Sequence, residues 1–390
     1  MISCGEPSGD LYAGALASEI LRIERSAVII GLGGDRLKAA GASLVGDFSG
    51  LSVTGLLEVA RVLPRTYATY RRLVADAVAS RPDVFVAIDF PDFNFTLGRA
   101  LHKLGVPIVY YISPQLWAWR RGRMKTMKRM VDRVLVIFPF EEAIYREAGV
   151  PVEWVGHPLL DTIDAPEPRE RFLASAALDP SRPVVAILPG SRPNEIHAIL
   201  PDLSRAALVI RERIPGAQFL VARAPNLSDA AFEPLSLVAA GGAQPAAIVE
   251  GRADAVLAAA DVALVASGTV TVQAAIHECP MVVVYRLSPL TYRLGKPFVR
   301  VTTYAMANLV AGRPVVPELI QGAFTPEAVA REALRVLTNE EHASRVRADL
   351  REVRDKLGSR GASARAAAAV VRVAREARAP APSVAEGPLR

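Results

Sequence analysis

The strongest constraint on the fold is an alternation that occurs twice along the chain. In the first half, residues 27–31, 83–88, 108–111, 134–138 and 152–155 are short aliphatic runs that read as strands. Helical stretches such as 67–80 and 97–104 separate them. In the second half the strand signals return at 184–188, 218–222, 246–249, 262–265 and 281–285. Parallel strands need long, usually helical crossovers, so each series predicts a doubly wound α/β sheet. The stretch between the two series is rich in proline and charge (Asp164-Ala165-Pro166-Glu167-Pro168), as expected of a linker. A length of 390 residues suits two such domains. The expected layout is a first domain over 1–163, a linker over 164–183 and a second domain over 184–344. An Ala/Arg-rich helix over 345–378 and a disordered tail over 379–390 complete it. No internal repeat of fixed period is present.

Composition narrows the functional classes. Apolar residues make up 51% of the chain, enough for two sizeable cores. A net charge of +6 and a pI near 9.5 favour a surface facing phosphates, nucleic acid or anionic lipid. Cys4 and Cys279 form neither a disulfide framework nor a zinc spacing, which fits a reducing compartment. No uncharged apolar run reaches the length of a membrane span, and the first residues lack a basic-then-apolar leader. These features place the expected site of action in the cytoplasm or on the cytoplasmic face of a membrane.

Ligands of doubly wound sheets sit beyond the carboxyl ends of the strands, so the loops there are the candidates. Gly5-Glu6-Pro7-Ser8-Gly9-Asp10 follows a very short strand and opens a helix, where anions or polyols are favoured; Asp10 also suits a helix start on dipole grounds alone. Gly31-Leu32-Gly33-Gly34-Asp35 is an incomplete dinucleotide loop, with Arg36 in place of the last glycine, and reads as a turn. In Ile88-Asp89-Phe90-Pro91-Asp92-Phe93-Asn94, Asp89 stands where a strand leaves its sheet. It is either a general base for a hydroxyl or a turn residue bonding local amides, and Asp92 reads as a turn or cap. Gly190, Ser191 and Arg192 precede a helix, and Ser267, Gly268 and Thr269 precede another. Each reads as half of a diphosphate cradle or as a plain capped turn. His157 sits at a strand end, either structural or lining a cleft.

Several chemistries are excluded by missing patterns. The chain has no P-loop, no H-E-x-x-H, no histidines paired at i, i+4, no Asp-x-Asp and no G-x-S-x-G elbow, so no metal or other cofactor is expected.

Taken together, the motifs resemble the family of bacterial lipid-A-disaccharide synthases. The matching stretches are 5–10, 88–94, Tyr111-Ile112-Ser113-Pro114-Gln115-Leu116-Trp117-Ala118-Trp119-Arg120, 138–142, Val155-Gly156-His157-Pro158, 188–192, 266–271, 280–286 and 307–313. The resemblance implies a GT-B architecture: two Rossmann-like domains facing across a cleft, with a C-terminal helix returning to the first. It implies transfer of 2,3-diacylglucosamine from its UDP conjugate to the 6-hydroxyl of 2,3-diacylglucosamine 1-phosphate, with inversion and release of UDP. Asp89 matches the family's base, with Glu6 as the second choice or as an orienter of the acceptor. Gly190, Ser191, Arg192, Ser267, Gly268, Thr269 and Gln273 match the UDP site. Ser8, Asp10, Asn94, His157 and Asn308 are the expected acceptor-side residues.

Two departures stand out. The family usually carries Glu where this chain has Gln273, which removes a charge-assisted contact of about 1 kcal/mol to the ribose hydroxyls. The first strand is also shorter than the family's, so the native start is expected upstream of Met1, and mass spectrometry of the native N-terminus checks this.

Acylated substrates imply an anionic inner-membrane surface as a partner. Arg121, Lys125, Lys128 and Arg129 share a helical face behind Trp117 and Trp119, with Met124, Met127 and Val131 on another face; lipid docking and ordinary core packing both fit this segment. Arg61, Arg65, Arg71 and Arg72 form a second basic cluster beside Leu56, Leu57, Val62 and Leu63. Nucleic acid is not an expected partner, and a homodimer is left open. The competing readings are another UDP-sugar GT-B enzyme (a peptidoglycan glucosaminyl transferase or an epimerase) and a bilobal solute-binding protein.

Overall fold

A computed structural model describes the chain except residues 49–55, 117–120, 164–165, 226, 243–245, 288–302 and 379–390, and except the side chains of 56–61, 121 and 240–242. The chain forms two compact units, Met1–Thr162 together with the chain from Ser359 onward, and Ile163–Gly358.

The first unit holds seven parallel strands: β1 (Ile2–Ser3), β2 (Ile30–Gly33), β3 (Ser43–Asp47), β4 (Phe85–Ile88), β5 (Ile108–Tyr111), β6 (Arg133–Val136) and β7 (Val152–Trp154). Their order is β3-β2-β1-β4-β5-β6-β7, so the winding reverses between β1 and β4. The register at that seam pairs Ile2 with Val86 and Ser3 with Ala87. The loops after β1 and β4 therefore flank a topological switch point, where such sheets bind their ligands.

The second unit repeats the scheme with β8 (Val184–Leu188), β9 (Gln218–Arg223), β10 (Ala247–Glu250), β11 (Val262–Ala266), β12 (Met281–Tyr285) and β13 (Glu318–Ile320). Its order is β10-β9-β8-β11-β12-β13, which puts the loops after β8 and β11 at its own switch point. Each unit has a separate core: Phe85, Tyr110, Met127 and Tyr145 are buried in the first, and Phe219, Leu264 and Phe324 in the second.

Several boundaries differ from the sequence reading. The glycine run expected as a turn contributes Gly31 and Gly33 to β2, where an added Cβ at Gly31 would lie 1.7 Å from the Ile2 carbonyl oxygen. Glycine is needed there because β1 passes too close for any side chain. Part of the expected linker is the helix Arg169–Ser175, which buries Phe172 and Leu173 and is tied by Arg169 to Asp261 of the second unit. The helix expected over 345–378 is two helices, Glu340–Lys356 and Ala362–Arg378, separated by Gly358 and Gly361 at φ of 96° and 93°. The second of these packs against Pro7–Ile23 in the first unit. Asp161 accepts N–H bonds from Gly361 (2.5 Å) and Ser363 (2.7 Å) at its start, and Arg365 donates to the Val155 carbonyl (2.8 Å). The expected tail over 379–390 lies outside the described residues.

Candidate functional site

In the first unit the site grows from the end of β4. Asp89 and Phe90 are consecutive non-glycine residues at φ of 44° and 46°, a left-handed conformation that costs about 1–3 kcal/mol per residue. The surroundings hold them there. The Asn94 side-chain amide donates to the carbonyls of Asp89 (2.8 Å), Ile88 (3.2 Å) and Ser3 (3.2 Å), and its oxygen accepts from the Ser3 hydroxyl (2.7 Å). Tyr110 donates a further bond to the Asp89 carbonyl (2.8 Å). Burial, with Asp89 nearby, raises the Tyr110 pKa well above that of a free phenol, so the hydroxyl keeps its proton for this bond.

Gly5 closes the arrangement. The Phe90 ring lies so near that a Cβ on Gly5 would fall 2.2 Å from it, and the same ring stacks on Phe93 at 5.2 Å. Any larger residue at position 5 would displace Phe90 and with it Asp89. The β1 loop carrying Glu6, the helix start carrying Ser8 and the β4 loop carrying Asp89 are thus brought side by side. Asp89, Glu6 and Ser8 are all half-buried, in reach of solvent.

Three expected acceptor-side residues have structural duties. Asp10 is buried and its carboxylate accepts the N–H groups of Gly34 (2.7 Å), Arg36 (2.9 Å) and Leu37 (3.1 Å), capping the short helix Asp35–Ala39. His157 is buried against Tyr12 and Phe138, and its Nδ1 accepts the Leu159 N–H at 3.2 Å. Desolvation pushes its pKa down to about 3, so the ring stays neutral as a cap. Asn308 is buried in the second unit, bonded to the N–H groups of Val315 and Val316, the Val316 carbonyl and Glu318. Asn94 is a positioning residue for the Asp89 loop, not a free polar group.

In the second unit, β8 ends at Leu188, and the loop through Gly190-Ser191-Arg192 runs into the helix Pro193–Arg213. Gly190 has φ +120°, and a Cβ there would meet the Glu195 carboxylate at 2.7 Å. Glu195 folds back from the first turn. It accepts from the Ser191 N–H (3.4 Å) and pairs with the Arg192 guanidinium (3.3 Å). Sequence reading passed over Glu195; the available signal was its place three residues after the helix cap, from which a glutamate reaches back to orphan amides. Tyr285 at the end of β12 completes this edge. Burial and the Glu195 charge raise its pKa, and the Arg192 charge opposes them.

The β11 loop fits its expectation only in part. The Ser267 N–H donates to the Val284 carbonyl (2.9 Å), so this amide is not available to an anion. The Ser267 hydroxyl reaches the Tyr304 carbonyl at 3.4 Å, while Gly268 and Thr269 are exposed. Gln273 donates to Asp254 at 3.3 Å.

Of the expected membrane-facing residues, Trp117 and Trp119 lie outside the described residues, as does the Arg121 side chain. Lys125, Lys128 and Arg129 are exposed, but Met127, Met130 and Val131 are buried in the first unit's core, so the methionine face of this segment is packing. The second basic cluster is different: Arg65, Arg71 and Arg72 are exposed beside Leu63 (56% exposed) and Tyr67 (63%) on the helix Leu56–Ser80. No helix among the described residues is long and apolar enough to cross a membrane.

The sequence pattern of the lipid-A-disaccharide synthetase family matches residues 1–372. The chain belongs to this family. The lipid-A-disaccharide synthase of Geobacter metallireducens is 43% identical over 374 residues, covering 95% of this chain and 96% of that protein. Among solved structures, the UDP-GlcNAc 2-epimerase of Neisseria meningitidis bound to UDP-GlcNAc superimposes with TM-score 0.64 at 13% identity, covering 92% and 96% of the two chains. The calicheamicin glycosyltransferase CalG4 superimposes with TM-score 0.60 at 17% identity, covering 97% of each. Membership makes the chain a glycosyltransferase, and the likeness to these structures shows the GT-B fold.

Proposed function

We propose that this family member moves 2,3-diacylglucosamine from its UDP conjugate to the 6-hydroxyl of 2,3-diacylglucosamine 1-phosphate. The reading is carried by one observation: Asp89 is held at the first unit's switch point in a strained turn that Asn94, Tyr110 and the Phe93 ring maintain. Strain kept at such cost, at a strand end beside solvent, fits a catalytic group. Asp89 takes the proton of the attacking hydroxyl as its oxygen bonds to the anomeric carbon. The bond from that carbon to the UDP oxygen breaks, its electron pair leaves with UDP, and in-line attack inverts the centre. Arg192 and the hydroxyls of Ser267 and Thr269 hold the diphosphate as its charge grows, and Glu6 orients the acceptor. The name of the superimposed epimerase structure, which binds UDP-GlcNAc, agrees with a UDP-linked donor.

Purified protein should release UDP only when both lipid substrates are supplied together. UDP release from the donor alone, or isomerisation of UDP-GlcNAc, would favour the epimerase-type alternative.

The substrates' acyl chains require contact with a bilayer, and the exposed Leu63, Tyr67, Arg65, Arg71 and Arg72 supply apolar and basic groups for the cytoplasmic face of the inner membrane. In vesicle flotation, the protein should bind phosphatidylglycerol vesicles more than phosphatidylcholine ones, and added salt should weaken binding. Binding indifferent to both would count against the electrostatic part.

A further inference from the structure

We infer that Asp254 is a specificity-determining residue of the donor site, its carboxylate accepting the vicinal hydroxyls of the donor's ribose while His277 and Gln273 hold it in place. The inference rests on the diphosphate reading of the Arg192 and Ser267–Thr269 loops. Gln273 lies one turn beyond Thr269, and its N–H donates to the Thr269 carbonyl at 3.2 Å. One helical turn is about 5.4 Å, the scale of a single phosphate-to-sugar step, so a nucleotide anchored at Thr269 reaches the level of Gln273 with its ribose.

At that level the protein presents a carboxylate. Asp254 sits in the first turn of the helix Ala253–Ala259, just after β10 and hence on the carboxyl edge of the sheet. Its Oδ1 is 3.0 Å from the Nε2 of His277, and the Gln273 amide donates to both of its oxygens at 3.3 and 3.4 Å. The His277 side chain is 6% exposed and that of Asp254 is 39% exposed.

A carboxylate accepts at about four lone-pair positions, and the ring and the amide approach from the protein side. The solvent face is left for two hydroxyls that point the same way, which is what a vicinal diol offers. A lone acid placed for the helix dipole would need no buried imidazole behind it. Gln273, an amide, cannot supply the charge itself; Asp254 does so across the hydrogen bond between them.

The test is calorimetric titration of the full chain with UDP and with 2′-deoxy-UDP. The wild-type protein should prefer UDP by about tenfold, the effect of one charge-assisted bond. Asp254→Asn should weaken UDP, which loses both hydroxyl contacts, about a hundredfold and 2′-deoxy-UDP, which loses only the 3′ contact, about tenfold, erasing the preference. His277→Ala should erode the same preference to a smaller extent. Equal losses on both nucleotides, or no loss on either with melting unchanged, would overturn the inference. Arg192→Ala separates the two readings. If it weakens both nucleotides alike while Asp254→Asn changes nothing, only the diol assignment fails. If Arg192→Ala binds both as wild type does, the diphosphate reading fails and the diol assignment with it.

Discussion

Asp89→Asn should lower turnover by about 10²–10⁴-fold, the usual contribution of a positioned base. The substitution keeps the size and shape of the side chain and removes only its capacity to take a proton. The turn itself is held through the backbone carbonyl of residue 89, bonded by Asn94 and Tyr110, and the asparagine variant keeps that carbonyl. Asparagine also tolerates the left-handed region as well as aspartate does. Melting behaviour and the KM for the UDP-sugar should therefore stay close to wild type while kcat falls. A variant with near wild-type kcat would remove Asp89 from the role of base, and Glu6, half-buried on the neighbouring loop, would be next in line.

Asn94→Ala should be the most damaging change to the scaffold of the site. It leaves the buried Ser3 hydroxyl and three carbonyls without their side-chain partner. Each buried group left unsatisfied costs about 1–3 kcal/mol, and some of them keep other partners, so the first unit should lose about 2–4 kcal/mol. With one unit destabilised, thermal unfolding should show an early transition from that unit rather than a single shifted one. Turnover should fall as well, because the Asp89–Phe90 turn loses its tether and can relax toward ordinary backbone angles. Asn94→Asp sharpens the test: it is nearly isosteric but sets a carboxylate against three carbonyl oxygens, so it should be at least as harmful as alanine. Wild-type melting and activity in Asn94→Asp would contradict the account of how Asp89 is held.

Strand-to-loop arithmetic made much of this legible in advance. The apolar runs at 85–88, 108–111, 184–188, 262–266 and 281–285 carry their own signal, because strands buried on both faces must be aliphatic throughout. The loops after them were visible for the same reason, and the four singled out fall at the two switch points. Edge strands were visible only in part. β7 and β10 carry the aliphatic runs read at 152–155 and 246–249, whereas β3, with no fully buried residue, and β13, with only three half-buried ones, were not read.

Roles that depend on a distant partner could not be read from local order. Asp10 begins a helix in sequence yet caps a different one, 24 to 27 residues away. Asn94 looked like one more polar residue of a loop motif until the fold set it between β1 and β4. Glu195 and Asp254 carry no distinctive local signal, because a single acid near a helix start is common; what each carboxylate touches is set by the fold.

By itself the sequence determined the two sheets, the loops at their carboxyl ends and the residue types available there, since periodicity and strand ends are local properties of a chain. Tertiary structure decided which of those polar groups are buried in hydrogen bonds that hold the fold, as Asp10, His157 and Asn308 are, and which stay half-buried at a strand end, as Asp89 does. The reason is physical: a hydrogen-bonding group is satisfied by whatever the fold brings to it, and the partners that matter here come from residues far apart along the chain.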